Sequence, residues 1–82
     1  MTALLSIGFG NYVAEDKILS VLSPDSAPIR RMLADGRERG LVVDASFGRS
    51  TKGILLLTSG HMVLSALSPD ELAERIDRGK DA

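Results

Sequence analysis

Residues 41–66 read LVVDASFGRSTKGILLLTSGHMVLSA. Three apolar runs, LVVDAS, GILLLT and HMVLSA, are separated by two polar connections, one led by Gly48 and a tighter one at Ser59 and Gly60. Short runs of this kind, bounded by glycine turns, predict three strands in an antiparallel meander, with the Gly48 segment as a hairpin tip. The chemistry of that tip is unusual. Asn-Gly would make a plain two-residue turn, whereas here Gly48 leads into Arg49, Ser50, Thr51 and Lys52, two cations and two hydroxyls held out on a loop.

Upstream, Leu4 to Ile7 reads as a short strand, GFGN (8–11) as a glycine turn, and Tyr12 to Ala14 as a second extended piece. From Lys17 to Ser23 apolar side chains fall on both faces with a period of two, a strand that Lys17 begins. The segment SPDSAPIRRMLADGRERG (23–40) carries Ile29, Met32, Leu33 and Gly36 at helical spacing. Ser23 or Ser26 supplies its N-cap, Pro28 is tolerated in the first turn, and Gly40 is a natural stop. Glycine at position 36 costs about 1 kcal/mol against alanine inside a helix, so close packing is expected there. Downstream, Ser68, Pro69 and Glu71 spell a capping box for a second helix whose apolar stripe is Leu72 and Ile76, with 79–82 expected as a frayed tail. ILSVLSPD (18–25) and VLSALSPD (63–70) echo each other as two strand-to-helix units, too few for a solenoid and read as convergent turn chemistry. The fold class expected is α+β: a small antiparallel sheet of five to six short strands with two helices in one domain, 1–82.

A chain of 82 residues is near the lower limit for a self-sufficient core. It has no cysteine and a single histidine, His61, so disulfides and a structural zinc site are excluded as staples. Oligomerisation is the expected source of further buried surface. The N-terminus lacks a basic leader, and the longest aliphatic run, Ile54 to Leu57, falls far below the roughly 20 residues a bilayer requires. These features predict a cytoplasmic protein with no membrane partner.

The net charge of −1 argues against nucleic-acid binding until its distribution is considered. Between Lys17 and Lys52 stand seven basic residues (Lys17, Arg30, Arg31, Arg37, Arg39, Arg49, Lys52) against four acidic ones, while the remainder has three basic and seven acidic. Such asymmetry predicts one cationic face, and local potential matters more than the sum.

Enzymatic chemistry lacks its parts. His61 stands beside the Ser59-Gly60 turn with no triad pattern around it, and no carboxylate pair is recognisable by spacing. GRSTKG (48–53) fails the phosphate-loop pattern because Ser50 and Thr51 precede Lys52, and GFG (8–10) lacks the third glycine of a dinucleotide fingerprint. No catalytic residue, metal, cofactor or small-molecule substrate is expected. A loop bearing arginine, lysine and hydroxyls does suit phosphates, because the guanidinium is a planar fork of donors and exposed backbone N–H groups beside glycine add to the cradle.

Five stretches together, IGFGN (7–11), SPDSAPIRRM (23–32), DGRERGLVVDAS (35–46), GRSTKG (48–53) and HMVLSALSPD (61–70), resemble the RemA family of bacterial extracellular matrix regulatory proteins (DUF370) over nearly the whole chain. The resemblance implies a sequence-tolerant DNA-binding transcription regulator that activates biofilm-matrix genes. It also implies a LytTR-like fold, a ring-shaped homo-oligomer around which double-stranded DNA bends, and a cytoplasmic, nucleoid-associated place of action. The family's basic side chains map onto Lys17, Arg49 and Lys52, with Arg30 and Arg31 as supporting candidates and Ser50 and Thr51 as hydroxyl donors. The chain departs from the family pattern in ways that imply a weaker grip per subunit: Arg49 is followed by Ser50 where the family often has a second arginine, and lysines stand at two positions that often hold arginine. A ring repeats these few contacts and so replaces net charge with valency. The competing reading is a non-catalytic scaffold that forms an oligomer and recruits protein without touching DNA.

Overall fold

A computed structural model describes residues 3–81, with side chains described as far as Asp77. In chain order the elements are β1 (Leu4–Gly8), β2 (Asn11–Ala14), a 3₁₀ turn (Glu15–Lys17), β3 (Ile18–Leu22), α1 (Ala27–Glu38), β4 (Val42–Asp44), β5 (Gly53–Leu57), β6 (Met62–Ser65) and α2 (Pro69–Asp81). The result is a small α+β domain with six short strands in two sheets and two helices.

β5 and β6 run through the centre of the four-stranded sheet, ordered β3-β5-β6-β4, and are covered on both faces. Their alternation sorts the core into two layers. Ile54, Met62 and Leu64 pack with Leu33 of α1, while Leu55 and Val63 pack with Leu5, Ile7 and Ala45 and with Leu72 of α2. Burial on both faces explains why ILLL and MVL read as continuous apolar runs instead of a polar-apolar alternation. The β1–β2 hairpin lies over the second layer and is pinned by polar bonds: the buried Ser65 hydroxyl donates to the Ile7 carbonyl at 2.9 Å, and Arg75 Nη1 to the Ser6 carbonyl at 3.0 Å.

The helix ends follow from local chemistry. Ser26 caps α1 by accepting from the Ile29 N–H at 3.3 Å, and Ser23 instead accepts from Asp25 in the turn before it. At the other end Gly40, with φ 72°, donates to Arg37 O at 3.2 Å while Leu41 donates to Gly36 O at 2.8 Å, the paired bonds of a Schellman motif. Gly36 is buried, and a Cβ there would lie 2.2 Å from Met62 Cε, so the expected close packing is present. α2 has the expected capping box: the Glu71 N–H donates to Ser68 Oγ at 3.2 Å, and the Ser68 N–H to Glu71 Oε1 at 3.4 Å. The backbone of α2 is helical to Asp81, through most of the stretch expected as a tail, and Ala82 lies outside the described residues.

Three expectations are corrected. The strands form two sheets, not one, with β1–β2 separate from the other four. And 41–66 is no simple meander. The β5–β6 hairpin is antiparallel as expected, but β4 pairs with β6 in parallel, Val42 opposite Met62 and Asp44 opposite Leu64. Residues 45–52 are therefore a crossing connection that arches over the end of β6, held by Ala45 N–H to Leu64 O and Lys52 N–H to Ser65 O, each 2.9 Å. Period-two patterning marks a strand but does not name its neighbour, and an eight-residue connection is long enough to skip one. The strand expected from Lys17 begins one residue later, with Lys17 closing the 3₁₀ turn.

Candidate nucleic-acid interface

The crossing connection is built on Asp44 and one hydrogen-bonded turn. Asp44 accepts from both the N–H and the hydroxyl of the buried Ser46, 2.9 Å from the former, which holds its carboxyl below the ordinary carboxylate range, with a smaller attraction from Arg37. Then the Arg49 N–H closes on Ser46 O at 3.0 Å around Phe47 and Gly48, whose φ values are 56° and 76°. Positive φ at both central residues is the sign pattern of a type I′ turn, where Asn-Gly is the low-cost sequence. The sharp reversal throws Arg49 and Ser50 to the surface, with Thr51 half-buried and Lys52 exposed again.

A second turn of the same kind faces it. In the β1–β2 hairpin, Gly8 lies opposite Asn11, and the intervening Phe9 and Gly10 have φ 54° and 79°. Phe9 and Phe47 are the two non-glycine residues with positive φ among the described residues. Their rings stack, centroids 5.2 Å apart and 27° between planes, and the Arg49 guanidinium carbon lies 5.7 Å from the Phe9 centroid, within cation–π reach. Both rings face water, Phe9 at 48% and Phe47 at 75% exposure. Phe9, Arg49, Ser50 and Lys52 line one hollow together with Leu67 and Glu71.

The remaining cations lie elsewhere. The Lys17 carbonyl accepts from Thr58, just past the end of β5, whereas Lys52 precedes its first residue. Five strand residues put about 17 Å between those ends. Lys17 instead borders a hollow of about 360 Å³ lined by Ile7, Tyr12, Val43, Leu57 and Val63. Arg30 and Arg31 are exposed on α1, in the layer across the sheet from Leu5 and Ile7. A single chain thus brings together Arg49, Ser50 and Lys52, and leaves Lys17, Arg30 and Arg31 apart from them.

That Phe9 and Phe47 would sit exposed beside Arg49 was not legible from composition, because an aromatic in an apolar-rich chain reads as core. The available signal was position: each stands immediately before a glycine in a turn segment, GFG and SFG. His61 occupies the Ser59-Gly60 turn as expected, its Nδ1 2.8 Å from Ser59 Oγ. Among the described residues no helix is long and apolar enough to cross a membrane.

A family model described as RemA-like, extracellular matrix regulatory protein A-like, matches residues 4–76. A protein of Synechococcus elongatus, provisionally named a regulatory protein, is 55% identical over 74 residues, covering 90% of this chain and 85% of its own. One from Dictyoglomus turgidum, of like name, is 51% identical over 76 residues, covering 93% and 89%. Another from Bacillus pumilus is 44% identical over 73 residues, covering 89% and 82%.

Proposed function

Because this chain belongs to the RemA-like family of regulatory proteins, we propose that it is a DNA-binding transcriptional regulator of extracellular-matrix and biofilm genes. It acts without catalysis, in the cytoplasm at the nucleoid. Arg49 and Lys52, with Ser50 and Thr51, grip the phosphates of double-stranded DNA, and Lys17 takes a different phosphate at the far end of β5. Arg30 and Arg31 add a more distant cationic surface.

The observation that carries this reading is the turn at Phe47-Gly48, which spends a strained backbone to hold Arg49 outward beside Ser50 and Lys52. Among the described residues neither Arg49 nor Lys52 is in a salt bridge, so both charges remain available to a polyanion. Two or three phosphate contacts from an acidic protomer bind weakly, and a closed ring larger than a dimer sums them. Self-association is supported by exposed apolar side chains on edge strands, Val43 on β4 and Leu19 on β3, together with Tyr12 beside the apolar hollow.

Charge reversal tests the proposal. Arg49→Glu abolishes promoter binding in a gel shift while the native mass of the assembly is unchanged. Undiminished binding removes the loop from the interface, and absence of DNA binding by the parent protein at low salt favours the scaffold reading instead.

A further inference from the structure

The two phenylalanines raise a question that phosphate binding leaves unanswered. A phenyl ring offers nothing to a phosphate, yet two of them occupy the first central positions of facing turns, where asparagine or glycine would sit without strain. Bulky residues at positive φ are outliers that persist where function or surrounding structure demands them. Burial does not demand these, since Phe47 is three-quarters exposed and Phe9 about half. The rings stack into one plate with Arg49 seated against it.

From this arrangement we infer that Phe9 and Phe47 form an aromatic wedge that presses against a base step of the DNA while Arg49 and Lys52 hold the flanking phosphates. The inference rests on the DNA-binding reading above. Apolar side chains inserted from a groove partly unstack a step and kink the duplex, and the deformable pyrimidine–purine steps accept this at least cost. The wedge thereby gives sequence preference to a protein whose other contacts are to backbone. A subunit contact fits the plate less well, because it would bury the Arg49 guanidinium away from water. The carboxylate in the same hollow, Glu71, accepts from the Ser68 hydroxyl through Oε1 at 3.1 Å, and no salt bridge joins it to Arg49 among the described residues.

The test uses the full chain and a duplex carrying 2-aminopurine at a TA step, whose fluorescence rises on unstacking. The informative variant is Phe47→Asn, which relieves the turn while removing the ring. It is expected to melt no lower than the parent protein and to keep its native mass and the salt dependence of binding. It should lose affinity at least about five-fold, the low end of one aromatic–base contact, and should lose the fluorescence rise. A variant that binds and unstacks like the parent overturns the wedge, as does a parent that binds with no rise. A Phe47→Asn protein that falls apart into smaller species also overturns it, by making the plate a subunit contact. Arg49→Glu, run in parallel, separates the cases: if it binds normally the DNA-contact assignment has failed, and if it alone loses binding only the wedge has.

Discussion

Gly53 and Gly36 offer a matched pair of substitutions whose outcomes the geometry sets apart. Gly53 opens β5 at the foot of the cationic connection, and a Cβ there would lie 2.6 Å from the Leu67 carbonyl oxygen and 2.9 Å from Leu72 Cδ1. The carbonyl is backbone, fixed next to the Ser68–Glu71 capping box, and Leu72 is fully buried. Neither can yield cheaply. Overpacking of this kind costs about 1–3 kcal/mol, and the stiffer unfolded chain returns about 0.4–1 kcal/mol, leaving Gly53→Ala destabilised by roughly 1–2 kcal/mol. At Gly36 the nominal clash is closer, 2.2 Å, but it is with the terminal methyl of Met62, the far end of an adaptable side chain. Helix propensity returns about 1 kcal/mol at that site, so Gly36→Ala stays within about 1 kcal/mol of the parent. Urea unfolding followed by far-ultraviolet circular dichroism, at one fixed protein concentration so that any contribution from self-association is equal in each variant, gives both values. The reasoning is refuted if Gly53→Ala is as stable as the parent, or if Gly36→Ala is the more damaging of the two.

Two further outcomes follow from the polar contacts. Asp44→Ala lowers the melting temperature at neutral pH. The Asp44 carboxyl is held below its ordinary value of 3.8, so its contribution is complete above that pH and disappears as pH falls through the lower folded value. The gap between variant and parent, read by melting at stepped pH, should therefore close only below about pH 4. Ser65→Ala removes the buried bond to the Ile7 carbonyl and should cost about 1–3 kcal/mol in urea unfolding. Amide exchange should then show loosening in β1–β2 ahead of β5–β6.

Local chemistry was legible and long-range pairing was not. Both helices could be placed because their signals are self-contained: Ser26 and Pro28 at one start, Gly40 at a stop, Ser68 and Glu71 at the other start. Even so, the repeated Ser-Pro-Asp is used in two ways. Ser68 caps α2 directly, while Ser23 stabilises only a turn and Ser26 three residues on caps α1, whose first turn holds no acidic residue. The β4–β6 pairing escaped because alternation reports a face and not a partner, and residues 45–52 have the turn chemistry of a hairpin without its geometry. The same ignorance of pairing hid the separation of Lys17 from Lys52, which only the length of β5 reveals. At the site, the cations were named by their charge, and the phenylalanines were missed because composition assigns aromatics to a core that here excludes them.

The salt dependence of DNA affinity, measured on a species of known native mass, bears most directly on whether weak protomers bind as a ring. Each phosphate neutralised contributes about −0.9 to the slope of log affinity against log salt, so one protomer using Lys17, Arg49 and Lys52 reaches about −3, and with Arg30 and Arg31 added only about −4.5. A slope clearly steeper than that, from an assembly larger than a dimer, is the expected result. A single-subunit mass, or a slope no steeper than one protomer supplies, would contradict it.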